Sequence, residues 1–456
     1  MCMLSLLAAG VRSQDTTTIE FENIFDAVGN MGVGWNLGNT LDCNSGDTLN
    51  MWIEHWNAGP MRTPSKYETA WGQPVTKPAL FKMLKEAGFN AVRIPVTWYP
   101  HLEARFSTRK VGDKICWYPS KDDLGTKIDP AWMKRVHEVV DYALDAGLYC
   151  IINVHHDTGA ANTAWLIADS KVYEKEHERF EAVWTQIAEE FRDYDEHLLF
   201  EGYNEMLDSY RSWCYATMNT PGQYDTSAAR KAYNAINSYA QSFVNAVRST
   251  GGNNLTRNLI VSTYAASSGY GDWSNHLTDP ISKMTIPDDT IPGHIALEIH
   301  AYIDVKSWGN ALKRDISDWM RKTLYTNIIV RKNVPVIIGE WGTSDVDSPD
   351  ASIPRKSKLE YASHMVSTAK TYGIATFYWM GLSDRSDRSV PKWTEPDLVD
   401  AIIKGYYGAG GYDSVDDVVV DDERENVYYN LMGQLVAEPL RPGLYICNGR
   451  KVLITE

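Results

Sequence analysis

Positive charge, cysteine and long apolar runs are all in short supply in this sequence. Lys and Arg number 44 against 59 Asp and Glu, and the formal net charge of −15 argues against nucleic acid or an anionic membrane surface as partner. No apolar run is long enough to span a bilayer. The six cysteines, Cys2, Cys43, Cys116, Cys150, Cys214 and Cys447, show no metal-type pairing and imply no disulfide framework. Cys150 sits in an apolar run and reads as a small buried hydrophobe. No metal and no cofactor is expected, and a monomer is the default.

What is present fits a large soluble protein. The 456 residues suit one barrel of (β/α)8 size plus additions, and the 44% hydrophobic and 23% charged content allows a sizeable core. The 16 Trp and 26 Tyr are mostly packing, but rings on loops can stack on the apolar faces of sugars. A neutral polymer is therefore a compatible partner.

Eight apolar runs recur along the chain: 32–38, 91–96, 149–154, 198–200, 259–263, 295–299, 334–338 and 375–379. Near-continuous apolar strands are those covered on both faces, as in parallel sheets. Helix-period segments lie between them, at 78–88, 132–147, 180–191 and 232–250, several ending at glycine. Eight such alternations predict a (β/α)8 TIM barrel over residues 15–411. A doubly wound sheet is the alternative, but it gives no reason for runs four and seven to end together.

Three long insertions fall on loops after strands. Residues 43–71 carry Trp52, His55, Trp56 and Trp71; residues 100–130 carry Trp117 and Tyr118; residues 206–226 carry Trp213 and Tyr215. Loops at the C-terminal face of barrel strands build the active site in this fold, so these rings read as cleft walls or as plugs beneath the loops. At the N-terminus, residues 1–14 read as the end of a secretory signal peptide that lacks its basic start. Residues 412–456 read as an acidic linker followed by short strands with Gly and Asn-Gly turns.

The chemistry-bearing residues cluster at strand ends. Run four leads into Asn204-Glu205 and run seven into Glu340-Trp341. Two carboxylic acids on one barrel face are what two-carboxylate glycoside hydrolysis needs, so Glu205 and Glu340 are the expected catalytic pair. Arg93 lies within run two, where a buried charge requires a carboxylate partner. It is expected to hold Glu340, or else to form a structural pair elsewhere. Run three ends in Asn153-Val-His155-His156-Asp157. Since side chains alternate along a strand, one cleft-facing histidine is the better reading of His155-His156, and a metal site the lesser one. His300 and Tyr302 share a face by the period of two and are expected to reach the acid and the nucleophile. Trp379 is expected beneath a sugar ring, with Asn36, Trp71 and Trp341 as further cleft-lining candidates.

Taken together, these motifs resemble glycoside hydrolase family 5, and within it the subfamily 4 endoglucanases. Gly34-Trp-Asn-Leu-Gly-Asn-Thr-Leu-Asp42, Glu68-Thr-Ala-Trp-Gly-Gln-Pro74, Arg93-Ile-Pro, His155-His156, Asn204-Glu205, His300-Ala-Tyr302, Glu340 and Trp379 occur in family order. The resemblance covers about residues 20–410. It implies retaining, endo-acting hydrolysis of β-1,4-glucosidic bonds in cellulose-like or mixed-linkage glucan. Glu340 would be the nucleophile, Glu205 the acid/base, and Asn204 the partner of the reacting sugar's 2-hydroxyl. Xyloglucan, xylan or mannan as preferred polymer, or a non-catalytic carbohydrate-binding barrel, are the alternatives. The usual Asn-Glu-Pro is Asn204-Glu205-Met206 here, and the usual Trp-Trp-Asp-Asn is Tyr378-Trp379-Met380-Gly381. The tail, with Tyr429-Asn-Leu-Met-Gly-Gln434 and Gly443-Leu-Tyr-Ile446, is similar to C-terminal sorting domains of type IX secretion in Bacteroidetes. That similarity implies a secreted or cell-surface protein.

Overall fold

A computed structural model describes the chain apart from residues 1–20, 44–63, 104–105, 112–113, 120–122, 162, 219–222, 344–352, 409–427, 430–434, 437–442, 448–449 and 455–456. The expected signal peptide, the rings of Trp52, His55 and Trp56, and the acidic linker lie outside the described residues. Residues Met1–Tyr412 and Asp413–Glu456 form two separate compact units. In the second, strands Leu435–Val436, Tyr428–Tyr429, Gly443–Cys447 and Arg450–Ile454 pair antiparallel in that spatial order.

The first unit is a closed barrel of eight parallel strands. These are β1 (Val33–Asn36), β2 (Ala91–Ile94), β3 (Tyr149–Asn153), β4 (Leu198–Glu201), β5 (Leu259–Ser267), β6 (Ile295–Ile303), β7 (Val336–Thr343) and β8 (Ala375–Tyr378). Each strand pairs with its neighbours in sequence, and β8 closes onto β1 through Val33↔Thr376. Each of the eight apolar runs overlaps one strand, and β4, β5, β6 and β7 continue past the ends of their runs. A doubly wound sheet is excluded by that closure.

The helices begin earlier than apolar periodicity suggests. Helix Ser170–Glu190 starts ten residues before Phe180 because Asp169 caps it, its side chain accepting from the Lys171 and Val172 amides. Asp225 caps Thr226–Ser249 in the same way. Each first turn carries only one or two apolar residues beside its polar ones, so the cap is the clearer helix signal there. The long insertion after β2, read from sequence as a loop, contains an antiparallel hairpin of Phe106–Val111 with Lys114–Pro119. Its two-residue Gly112-Asp113 link is a hairpin signal in its own right.

The barrel interior is built in layers by side-chain alternation. Ala91, Ile151, Leu199, Ile260, Ala296, Ile337, Ala375 and Phe377 form the lower, apolar layer, closed from below by Ile24, Val28 and Met31 of helix Ile24–Met31. Two residues further along their strands stand Asn36, Arg93, Asn153, Glu201, Ser262 and Glu298, all fully buried. A polar, charged layer thus sits directly above an apolar one. Gly34 makes the lower layer possible, because a Cβ there would lie 2.4 Å from the Phe377 ring and 3.0 Å from the Ala91 carbonyl oxygen. Gly34→Ala should therefore cost roughly 1–3 kcal/mol of stability as an overpacked core. An unchanged urea midpoint would show that the barrel floor can yield.

Candidate active site

Arg93 stands at the centre of the polar layer and bonds to most of it. Its Nε and Nη2 donate to Glu201 Oε2 and Oε1 at 2.6 and 2.7 Å. Nη1 donates to Glu340 Oε1 at 2.9 Å and to Asn36 Oδ1 at 3.1 Å, and Nη2 also donates to Asn204 Oδ1 at 2.8 Å. Glu298 Oε1 lies 3.4 Å from Nε. The expected pairing with Glu340 is present, but it is one corner of a larger network. The bidentate partner is Glu201, which sequence reasoning passed over, as it did Glu298. Both sit inside apolar strand runs, where the argument that singled out Arg93 applies equally to a carboxylate.

Glu340 reaches the cleft because β7 bulges. The β6–β7 register runs Ile299↔Ile338 and then His300↔Glu340, leaving Gly339 as the extra residue. Strict alternation from the inward Ile337 would have turned Glu340 outward. Gly339 faces the barrel interior, where a Cβ would fall 1.6 Å from Glu298 Oε1, so only glycine fits. The same bulge sends Trp341 away from the cleft. Its ring is fully buried against Tyr361 and Tyr378, in the layer between strands and helices. Trp341 is therefore not cleft-lining, a correction to the sequence expectation.

Above the polar layer the remaining candidates converge. Tyr302 donates its hydroxyl to Glu340 Oε2 at 2.6 Å. His300 Nδ1 lies 2.8 Å from Glu205 Oε1 and 3.6 Å from Glu340 Oε2, and its Nε2 lies 3.2 Å from Glu298 Oε1. One oxygen each of Glu205 and Glu340 and one His300 nitrogen all lie within 4.8 Å of one another. Glu205 is partly exposed and Glu340 almost wholly buried.

His155 and His156 fall beyond the end of β3, so strand alternation does not separate them. Their rings meet edge-on at 4.5 Å. His155 Nδ1 pairs with Asn153 Nδ2 at 3.0 Å, its Nε2 lies 4.0 Å from Glu340 Oε1, and its ring stacks on Trp379. His156 packs on Trp71 and lies 3.9 Å from Asp42. Asp157 is turned away, accepting from the Trp98 and Tyr99 amides and the Trp165 indole. Asp157 therefore does not gather with His155 and His156; the carboxylate that does is Asp42.

The charges are ordered by their neighbours. Burial alone would raise Glu298, yet Arg93 and His300 outweigh it and hold the carboxyl down at about 2. Burial raises Glu201 to about 7 against the pull of Arg93. Burial likewise pushes Glu340 up, opposed by His300 and Arg93. For His300, burial favours the neutral ring, but Glu340, Glu205 and Glu298 together lift it well above 6.5. Burial drives His155 far below 6.5 and His156 to about 4, so both are neutral donors or acceptors near pH 7.

The description "Cellulase (glycosyl hydrolase family 5)" matches residues 57–384. The chain belongs to glycosyl hydrolase family 5. It is 31% identical over 407 residues to Endoglucanase A of Clostridium longisporum, covering 84% of this chain and 65% of that protein, so it spans about two thirds of that relative's length. Among solved structures it is similar to a GH5-4 broad specificity endoglucanase from an uncultured bacterium. The identity there is 48% and the TM-score 0.76, covering 87% of this chain and 98% of that one. It is also similar to PbGH5A of Prevotella bryantii, a point mutant of which was solved in complex with a xyloglucan tetradecasaccharide. Identity is 39% and TM-score 0.69, over 86% of this chain and all of that one.

Two measurements probe the network of this family 5 hydrolase. Glu201→Gln keeps the volume but removes the bidentate partner of a buried cation, and should cost about 3–5 kcal/mol in urea unfolding. A loss below about 0.5 kcal/mol would mean that Glu298 and Glu340 suffice for Arg93. His300, raised in the fold, contributes stability that is complete below its unfolded value of 6.5 and lost as pH rises through the folded one. Wild type should therefore lose more melting temperature than His300→Asn between pH 6.5 and about 9. Parallel curves would remove the imidazolium from this account.

Proposed function

We propose that this enzyme is a secreted, retaining endo-β-1,4-glucanase acting on cellulose-like or mixed-linkage glucan. The observation that carries the reaction type is the spacing of the two acids, whose nearer oxygens lie within 4.8 Å. Retention requires carboxyl groups about 5–5.5 Å apart, whereas inversion leaves roughly 6.5–9.5 Å for a water.

Glu340 is the nucleophile. Arg93 and Tyr302 donate to its two oxygens and so favour the anion that attacks the anomeric carbon. As that carbon–oxygen bond forms, the glycosidic bond breaks and Glu205 gives its proton to the leaving oxygen. Water then attacks the glycosyl-enzyme, Glu205 takes a proton from it, and Glu340 leaves as carboxylate. His300 steers this exchange, since it touches Glu205 and lies beside Glu340. Asn204 spends its Oδ1 on Arg93, which turns its amide N–H2 toward the 2-hydroxyl of the reacting sugar. Trp379, held parallel to His155, supplies the ring beneath that sugar.

The family relatives named as endoglucanases support a β-glucan substrate, while the xyloglucan bound to the Prevotella mutant favours xyloglucan as a second reading. Secretion is supported by the apolar residues 3–10 and by the tail's likeness to sorting domains; it is tested by finding the protein outside the cells of its native host.

Reducing-sugar release should be measured on carboxymethylcellulose, barley β-glucan, xyloglucan, xylan and mannan. Wild type should act most strongly on the glucans, and both Glu205→Ala and Glu340→Ala should fall by at least about 10²-fold. Best activity on xyloglucan would move the substrate assignment and leave the mechanism. Full activity in Glu340→Ala would overturn the nucleophile.

A further inference from the structure

Arg388 is a second buried guanidinium, and the reaction described above makes no use of it. It lies on the turn Ser386–Ser389 of the loop after β8 and is 3% exposed. Unlike Arg93, it hydrogen-bonds to backbone carbonyls. Its Nε donates to the Ser383 oxygen at 2.7 Å, its Nη1 to the Gly38 oxygen at 2.8 Å and its Nη2 to the Met380 oxygen at 3.4 Å. The guanidinium carbon sits 4.9 Å from the centre of the Trp35 ring, a cation–π contact. Burial pulls its pKa down to about 10, opposed by Asp384 and Asp42, so the group stays charged at neutral pH. A charge buried without a bonded anion is costly, and only a structural or functional gain can offset it.

Two of those carbonyls flank Trp379. Met380 follows it in the chain, and its oxygen also accepts from the Trp35 indole at 3.0 Å. Gly38 presses on the edge of the ring: a Cβ there would lie 2.9 Å from Trp379 Cη2 and 3.0 Å from Cζ2. The ring is thus set by the exit of β1 at its edge and by the exit of β8 at its backbone, and Arg388 bonds both. The loop that carries Arg388 is itself braced. Gln73, two residues beyond Trp71, donates to Asp384 and accepts from the Arg385 amide at 2.9 Å. Thr394 Oγ1 accepts from the Asp384 amide at 2.9 Å and donates to Asp387 Oδ2 at 2.8 Å. Arg385, at φ 47°, holds a backbone conformation that residues with a Cβ rarely adopt.

We propose that Arg388 is a positioning residue for Trp379, fixing the indole beneath the reacting sugar by bonding the carbonyls of Gly38 and Met380 to one planar fork. This rests on the glucanase reading through the sugar assigned to Trp379 there. A lysine could not span the two carbonyls, because its ammonium is a point charge without the fork. A glucan chain is also held at sites other than this ring. A misplaced ring therefore disturbs the reacting geometry more than it weakens binding, and acts on kcat rather than KM.

The test is a double-mutant cycle, run on whichever of the five polymers named above wild type cleaves best. Arg388→Met keeps most of the side-chain bulk and removes its donors; kcat should fall about tenfold, with KM changed by less than about twofold. In a Trp379→Ala background the same substitution should lower kcat by less than about twofold, because the ring it positions is gone. Equal losses in the two backgrounds would overturn the proposal and leave Arg388 a brace of its loop. Should Arg388→Met fail to fold, Arg388→Lys carries the test, since it keeps the charge and loses the fork. A smaller kcat loss, again confined to the background that retains Trp379, is expected; wild-type kcat in Arg388→Lys would overturn the proposal. Best cleavage of a polymer other than a glucan would overturn the substrate reading alone, and the cycle on that polymer would still decide for or against Arg388. A wild type that cleaves none of the five would overturn the glucanase reading and the proposal with it.

Discussion

Arg93 is a full positive charge buried at the axis of a protein barrel, and much of the site follows from the need to compensate it. An unpaired cation there would cost several kcal/mol, so carboxylates must surround it. Glu201 takes the bidentate face, Glu298 approaches Nε, and Glu340 and Asn204 take the outer nitrogens. Glu298, held ionised beside Arg93, and the two proposed catalytic acids leave an excess of negative charge around His300. His300, between Glu298 and the two proposed catalytic acids, answers that excess by staying protonated. The ionisation of the site is therefore set from below, by a group no substrate need touch.

The layering explains why this works at the mouth of the barrel and not deeper. Below Arg93 the interior is alanine, isoleucine, leucine and phenylalanine, a close-packed apolar floor. Above it the cleft is open enough to leave Glu205 partly exposed. The charged layer is thus solid on one side and accessible on the other, which suits preorganised electrostatics. Neutral His155 and His156 fit the same scheme: with cationic Arg93 and His300 nearby, a further positive charge would be repelled.

Much of this was legible in the sequence, and the illegible parts have physical causes. The eight strands showed because strands covered on both faces lose their polar alternation. Glu205 and Glu340 showed because each follows an apolar run. Glu201 and Glu298 did not, since a carboxylate within an apolar run looks like a strand end until its partner is known. The placing of Trp341 failed for another reason: it directly follows Glu340, and which of the two faces inward depends on the bulge at Gly339. The hairpin at 106–119 was missed because the first of its strands, Phe106–Val111, is polar at its four central positions and so leaves the apolar run Ile115-Cys-Trp-Tyr118 without a visible partner.

Gly339 links these threads. The bulge could have been filled by any residue tolerating the turn, but the Glu298 carboxylate occupies the space a side chain would take. Arg93 and His300 hold Glu298 ionised, Glu298 in turn dictates a glycine at the bulge, and the bulge is what turns Glu340 toward Arg93. The charge network and the backbone irregularity are therefore one structure. A substitution that relieved the crowding at Gly339 by removing the Glu298 charge would loosen both the position of the proposed nucleophile and the protonation of His300. Such a site changes its geometry and its ionisation together.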